Sequence, residues 1–465
     1  MSGFFLLVLL VIAMIVIIAV LIGRWNSGLQ GSEWESGLID REAAERRQRQ
    51  HFRTYQSLIA ALSAIREIDP EFSFVLFEDF LYALYAEAHT ARGEGRLEGL
   101  APYLSEHARK ALEALSFGGG RAVRSVIIGS MRVEHVKMGG PAEPTEVVVT
   151  FEANYAEVDP QGEEHAYYAA ERWTLARAPG LKSRPPERAR IIDCPSCGAP
   201  LDKIVGGVCG YCSRNVAAGN RDWTVLGIDV LSREERPPIL TGTVEEAGTS
   251  DPTIVAPDVK ERWDTLVAID KGLDWGAFSG RIELIFRTFH EAWTKQEPRR
   301  VRPFLSDNLF QTQLYWIDAY KRQGLRNLTD GARIVAVHLA RVVSDARFDA
   351  ITVRVFATGL DYTIDADGEV VGGNKDRERA YSEYWTLIRG TSRTGAPRTT
   401  PECPSCGAGL DVNMAGACTY CHAKVTTGEF DWVLSRIRAG RGLRLIAHHF
   451  SASGRCRLSP PAGSS

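Results

Sequence analysis

Apolar and polar positions follow three different rhythms along this chain. Residues 4–22 have no rhythm at all, being nineteen apolar side chains without a charge. That is long enough to cross a hydrocarbon core as a helix. Gly3 and Gly23 bracket the run, and Arg24-Trp25 supplies an interfacial anchor. No Lys or Arg precedes the run and no small-x-small site follows it, so the pattern predicts an uncleaved anchor rather than a signal peptide. Arg24, Arg41, Arg46, Arg47 and Arg49 follow it, interspersed with Glu33, Glu35 and Asp40. The charge asymmetry predicts that the body of the chain lies in the cytoplasm.

A helical rhythm comes next. Phe52, Tyr55, Leu58, Ile59, Leu62 and Ile65 recur at helix spacing over 41–68, and Asp69-Pro70 ends that helix. A heavily apolar helix is expected at about 72–92, and a third after Pro102 with Ser105 as N-cap and Glu106 in its first turn. The rhythm then changes to two. Strands are expected at 123–137, 145–157 and 164–177, with Val147, Val149, Phe151, Ala153 and Tyr155 on one face. Asp159-Pro160-Gln161-Gly162 reads as the turn between the last two.

The same order returns. Helices are expected at 280–296 and 304–323, strands at 332–344, 347–361 and 378–389, and a turn at Asp365–Gly368. Pro102-Tyr103-Leu104-Ser105 matches Pro303-Phe304-Leu305-Ser306, and Glu171-Arg172-Trp173-Thr174-Leu175 matches Glu383-Tyr384-Trp385-Thr386-Leu387. Helices followed by antiparallel strands, twice over, argue for α+β units in duplicate. Pro237-Pro238 and Gly248-Thr249-Ser250-Asp251-Pro252 mark a linker between them.

Composition narrows the reading. At 45% hydrophobic and 24% charged, the 465 residues are those of a folded protein, and the net charge of −3 gives no global basic field. Eight of the nine cysteines fall in Cys-x-x-Cys pairs. Cys194, Cys197, Cys209 and Cys212 form one set, and Cys403, Cys406, Cys418 and Cys421 form another with the same spacing. Two knuckles with two residues between thiolates suit a closed tetrahedral site of four sulfurs, so two structural Zn2+ ions are expected. Iron or disulfides are the competing chemistries. Residues 194–223 and 403–432 share 16 of 30 positions. Cys418-Thr-Tyr-Cys421-His422 matches a haem-attachment pattern, but Ser213 replaces the histidine in the sister set, so His422 is read as a surface neighbour. The ribbons lack clustered positive charge, and nucleic acid is not the expected partner.

Val301-Arg302-Pro303-Phe304-Leu305-Ser306-Asp307, Ile351–Val355, Leu360-Asp361-Tyr362, Asp367–Val370 and Tyr381–Arg389 resemble the Tim-forty-four-like domain family. That resemblance implies a curved antiparallel sheet wrapped on helices, of the nuclear-transport-factor-two-like kind, forming a cone with an apolar mouth. It also implies membrane association and binding of protein or lipid, without a defined chemistry. The expected organisation is a membrane anchor at 1–24, a linker and amphipathic helix at 25–70, a first, diverged domain at 71–180, a first ribbon at 190–228, a linker at 229–260, a second domain at 261–390, a second ribbon at 400–438 and a basic tail at 439–465. Candidate pocket groups are Tyr82, His135 and Tyr155 in the first copy and Tyr315, His338 and Asp361 in the second. No His–carboxylate pattern is evident in both copies, so neither catalysis nor a small-molecule substrate is expected. The expected role is binding or tethering of a protein or lipid partner at the cytoplasmic face of the cell membrane. An enzyme using one cone pocket, and a nucleic-acid binder, are the alternatives.

Arg436, Arg438, Arg441, Arg444, Arg455 and Arg457 lie in a segment, 433–465, that has no Asp or Glu. Val433–Arg438 is expected to be a strand closing the second ribbon. The arginines are candidates for docking on anionic lipid, with Leu443, Leu445, Ile446 and Phe450 between them.

Overall fold

The computed structural model describes residues 63–115, 121–189, 191–216, 222–237, 240–241 and 249–439. The apolar run at 4–22 lies outside them. Among the described residues no helix is long and apolar enough to cross a membrane.

Two α+β units follow one another. In the first, α1 (Phe74–Gly93) and α2 (Glu106–Ala114) pack on a sheet of β1 (Ala122–Lys137), β2 (Thr145–Val158), β3 (Glu164–Arg177) and β4 (Thr224–Glu235), in that order and antiparallel throughout. In the second, α3 (Val259–Ile269), α4 (Trp275–Thr294) and α5 (Asp307–Arg322) precede β5 (Arg326–Leu328), β6 (Arg333–Ser344), β7 (Phe348–Ile364), β8 (Val370–Gly390) and β9 (Val433–Ala439). The sheet order there is β9-β8-β7-β5, and β6 also pairs with β7. Register shifts interrupt β1, β4, β6 and β8, and such bulges bend a sheet and increase its local twist.

Local chemistry accounts for the elements. Alternation on β2 buries Val147, Val149, Phe151, Ala153 and Tyr155, as a strand with one face on a core requires. Ser105 Oγ, the expected cap, accepts from Ala108 N at 3.1 Å, and its counterpart Ser306 Oγ from Leu309 N at 3.4 Å, so each satisfies an orphan amide. Asp159 Oδ1 accepts from Gln161 N and Glu163 N, and Asp365 Oδ1 from Asp367 N and Glu369 N; each hairpin turn ends on a left-handed glycine, Gly162 or Gly368. α1 is apolar nearly all round because it has two neighbours. One face packs on its own sheet, while Val75 and Leu76 meet Phe348, Ile388 and Val433 of the second unit. Asp345 of that unit caps α1 by accepting from Phe74 N at 3.0 Å and Ser73 Oγ at 2.8 Å.

The structure corrects the boundary reading in three places. Residues 224–235, divided at sequence level between ribbon and linker, form β4, which pairs with Tyr167–Ala176 of β3. Val433–Arg438 does not close the second ribbon. It belongs to β9 and pairs with Glu383–Ile388 of β8. Each cysteine module is therefore an insertion between the third and last long strands of its sheet. Val259–Ile269, across the expected start of the second domain at 261, is a helix the apolar pattern did not predict.

The two units share contacts as well as order. Asp69–Arg177 and Asp270–Arg389 are buried ion pairs at 2.8 and 2.6 Å. Each guanidinium lies over the tryptophan that follows its ribbon, Arg177 over Trp223 at 4.9 Å and Arg389 over Trp432 at 4.6 Å. Trp173 donates its ring N–H to Glu171, and Trp385 to Glu383.

Candidate metal centres and binding pocket

Each ribbon is built from two tight turns. Gly198 N donates to Cys194 O and Cys194 N to Ala199 O; Ser213 N donates to Cys209 O and Cys209 N to Arg214 O. Gly407, His422 and Ala408 play the matching parts around Cys403 and Cys418. The residue after the second cysteine of each pair takes positive φ: Gly198, Ser213, Gly407 and His422. His422 is thus the left-handed residue of a knuckle, at the position of Ser213.

In each set the four sulfurs lie within 4.8 Å of one another. Cys197 and Cys209 Sγ are 3.9 Å apart, and Cys403 and Cys421 Sγ 3.8 Å. Four sulfurs about 2.3 Å from a common tetrahedral centre are about 3.8 Å apart, so each set could hold a metal ion. These separations are far from the roughly 2.05 Å of a disulfide. Amide N–H groups from Arg214 and Ala423, first among the causes, draw the Cys212 and Cys421 thiols down to about 7, while in the same sets, against the Ala199 and Ala408 N–H groups, burial and the neighbouring cysteines push Cys197 up to about 12 and Cys406 up to about 11.

The ribbons are fastened to their units. Tyr103 Oη donates to Asp193 O at 2.6 Å in the first. In the second, Arg302 donates to Met414 O at 2.9 Å and to Asp307 at 2.5 Å, and Lys424 and Thr426 meet the same aspartate at 2.6 and 3.1 Å.

The interiors of the units differ. In the first, Tyr85 makes tilted ring contacts with Phe151, Trp173 and His89, and His89 stacks on Tyr155, all fully buried. Glu157, 1% exposed at its side chain, takes Arg92 at 2.9 Å and Arg233 at 2.6 Å. Arg233 also donates to Tyr155 Oη at 2.9 Å and lies 3.9 Å from the Tyr167 ring. Arg92 can only donate to His89 Nδ1, at 3.4 Å, so Nε2 carries the proton directed at Glu171. Burial pushes the Tyr85 and Tyr155 hydroxyls above their ordinary range. This interior is plugged by its own side chains.

The second unit has an open-mouthed cavity of about 80 Å³ in the same place. Register explains the difference. Val149 faces Trp173 and Val353 faces Trp385, so Tyr155 corresponds to Gly359 and Glu157 to Asp361. A side chain is not tolerated at 359, because a Cβ there would sit 2.7 Å from Ala332 Cα. The ring that fills the first interior therefore has no counterpart. Phe289, Trp293, Ala332, Leu360 and Ile437 form the apolar wall.

The polar lining is largely prearranged. His290 Nδ1 pairs with Thr329 Oγ1 at 3.0 Å and Nε2 with Tyr381 Oη at 3.1 Å. Asp361 accepts from Arg379 at 2.7 Å and from Asn327 Nδ2 at 3.0 Å, while Asn327 Oδ1 accepts from Trp293 Nε1 at 2.8 Å. Gln313, 4% exposed, also lines the cavity.

Residues 260–398 match the model of the Tim44-like domain.

The pocket's helix and strand walls thus fall almost wholly within the Tim44-like domain; Ile437, on β9 beyond the ribbon, completes it. No curated protein matches the chain. Among solved structures, an Ntf2 like protein involved in plasmid conjugation is similar over 69% of this chain and 94% of its own, at 9% identity and a TM-score of 0.19; a likeness that loose carries no argument.

Of the six candidate pocket groups, the structure brings only Asp361 to the cavity. Tyr155 belongs to the plug. Tyr82 lies against the second unit, where burial raises its hydroxyl and Arg436 opposes the shift. Tyr315 packs on Trp316 in a cluster with Ile127 of the first unit. His135 and His338 are exposed on their strands. His89 meets Glu171 in the first interior; at the equivalent positions of the second, His290 and Glu383 both line the cavity, with His290 held by the Thr329 and Tyr381 hydroxyls. The sequence signal existed, since His89 and His290 share the offset of the Pro-aromatic-Leu-Ser match and the glutamates that of the Trp-Thr-Leu match. Of the tail arginines, Arg436 forms an ion pair with Glu78 of α1, and Arg438 lies opposite Tyr384 on β9. Arg441, Arg444, Arg455 and Arg457 lie outside the described residues.

Proposed function

We propose that this chain is a membrane-anchored binding or tethering protein, with its body in the cytoplasm, whose second unit takes an apolar group of a protein or lipid partner into its pocket. The observation that carries this reading is the contrast between the two interiors, one plugged by its own tyrosines and arginines and the other open. A concave cavity with apolar walls and a few fixed polar groups is the ordinary form of a ligand site. Both ring nitrogens of His290 are engaged by hydroxyls, which suits orienting a bound group better than accepting its proton. Zinc in both four-cysteine centres fits the sulfur spacing and acts in folding, stapling modules too small to have a core of their own. The anchor at 4–22 keeps the pocket at the membrane surface.

The test is capture in place. A photoreactive benzoylphenylalanine at Leu360, in the full chain expressed in membranes, is expected to give a covalent adduct with one protein or lipid species. The adduct should be lost when Ala332→Phe narrows the cavity while metal content stays unchanged. No adduct, or one indifferent to narrowing, overturns the reading. Turnover of a captured small molecule would move the protein to the enzyme class instead.

A further inference from the structure

The two interiors differ in charge as well as in bulk. α1 and α4 have the same length, and aligning them sets His89 on His290 and Arg92 on Trp293. In the first interior three guanidiniums gather on Glu157: Arg233 at 2.6 Å, Arg92 at 2.9 Å and Arg121 at 3.7 Å. Two of them also lie against rings, Arg233 at 3.9 Å from Tyr167 and Arg92 at 5.4 Å from Tyr155. That place is a seat for a guanidinium, with a carboxylate at its end and aromatic faces along its side. The second interior keeps the carboxylate, Asp361. The cation that the helix supplies in the first is replaced by the Trp293 ring, whose N–H goes to Asn327. Asp361 and Glu383 line the cavity together with the rings of Phe289, Trp293 and Tyr381, and no lysine or arginine among the described residues lines it. Apart from the histidines, Glu157 and Glu171 against Arg92, Arg121 and Arg233 leave the first interior one charge positive. Asp361 and Glu383 against Arg379 leave the second one charge negative.

We propose that the pocket of the second unit takes an arginine side chain of a partner protein, its aliphatic stem along Phe289 and Leu360 and its guanidinium among Asp361, Glu383 and the rings of Trp293 and Tyr381. A cation over an aromatic face is attracted by the ring quadrupole. A guanidinium is planar, stacks on rings, forks onto carboxylates and is more weakly hydrated than an ammonium, so it suits a half-enclosed seat of this kind better than lysine does. Arg379 at 2.7 Å does not exhaust Asp361, because a carboxylate has about four lone-pair sites, and Glu157 at the equivalent position takes more than one arginine. The open cavity thus receives from outside the kind of group that the first unit supplies to itself. This rests on the pocket being a binding site and narrows its occupant to a protein side chain with an apolar stem and a charged end, so the experiment separates the two claims.

The full chain in detergent is titrated with capped tripeptides that have arginine, citrulline or norleucine between two glycines, and binding is followed by saturation-transfer NMR. The arginine peptide is expected to bind about tenfold tighter than the citrulline peptide, which has the same shape without the charge. This comparison uses the unaltered chain and so does not depend on any variant folding. Asp361→Asn and Glu383→Gln should each weaken the arginine peptide about fivefold and leave norleucine binding and metal content unchanged. Leu360→Trp, which fills the cavity, should abolish arginine binding. Equal affinity for arginine and citrulline, or no binding of the arginine peptide while norleucine still binds, overturns the proposal and leaves an apolar pocket. Tighter binding of choline or of free agmatine than of the arginine peptide also overturns it, making the site one for a lipid headgroup or a small molecule. Binding of none of the probes, or binding insensitive to Leu360→Trp, removes the pocket reading beneath it.

Discussion

Arg389→Met removes one partner of a buried ion pair and leaves the other stranded. Arg389 is 2% exposed, donates to Asp270 Oδ2 at 2.6 Å and to Gly395 O at 3.1 Å, and covers the Trp432 ring at 4.6 Å. Asp270 is also 2% exposed and accepts from Gly395 N at 2.8 Å and Gly272 N at 3.0 Å. Burial alone would push the Asp270 carboxyl up, but Gly395 N–H and the guanidinium outweigh it and hold it below its ordinary value. A group held down in this way stabilises the fold above its unfolded value near 4, and that contribution is lost as pH falls through the lower folded value. Removing one member of a buried pair costs about 3–5 kcal/mol. The conservative apolar replacement keeps most of the stacking on Trp432, so the cost reports the uncompensated carboxylate. Urea unfolding followed by tryptophan fluorescence should show an early transition, with a melting temperature lower by on the order of 10 °C. Asp270→Asn in the same chain should recover at least half of the loss, because the neutral amide needs no counter-ion. The variant should also gain relative to the parent as pH is lowered toward 4. A cost below about 1 kcal/mol, typical of a surface pair, or no recovery in the double variant, would refute the argument from burial.

Metal analysis of the full chain purified without chelator should find two zinc equivalents; Cys403→Ser should remove one and leave the set at Cys194 loaded. Ser306→Ala should cost about 1 kcal/mol by uncapping α5, read as a lower urea midpoint with an unchanged slope. Arg436→Ala should loosen the contact with Glu78 on α1, raising amide exchange in α1 and β9 while both metal sites remain occupied. Trp293→Ala should free Asn327 Oδ1 and enlarge the cavity, lowering stability by about 3–5 kcal/mol and broadening the size of apolar ligand accepted.

How much of this was legible depends on whether the deciding contact is local. Caps, hairpin turns and the alternation of β2 are properties of neighbouring residues, and the chain shows them directly. The four-cysteine sets were legible because spacing alone determines whether two knuckles can meet. The placement of β4 and β9 was not, because each pairs with a strand on the far side of an inserted ribbon, and Val433–Arg438 reads the same whichever sheet it joins. The pocket was hidden for a similar reason. Gly359 becomes informative only once register sets it against Tyr155, and then it is an absent ring that makes the site. Arg436 looked like a surface charge because its partner, Glu78, is more than 350 residues away in the chain.

With a metal in the four-cysteine set, insertion of the ribbon within the sheet would make metal supply a checkpoint in assembly. Between Gly390 and Val433 the chain makes an excursion of about forty residues before its last strand can dock. Closing a flexible loop of that length costs roughly 3 kcal/mol beyond a constant. A metal-clamped ribbon, already fastened by Arg302 and Lys424, delivers Trp432 and β9 to their places with much of that entropy removed beforehand. Loss of the ion through chelation or thiol oxidation would therefore not stop at the ribbon. It would release the final strand and uncover the β8 edge and the Arg389 face, leaving an unpaired strand edge open to pairing with another chain.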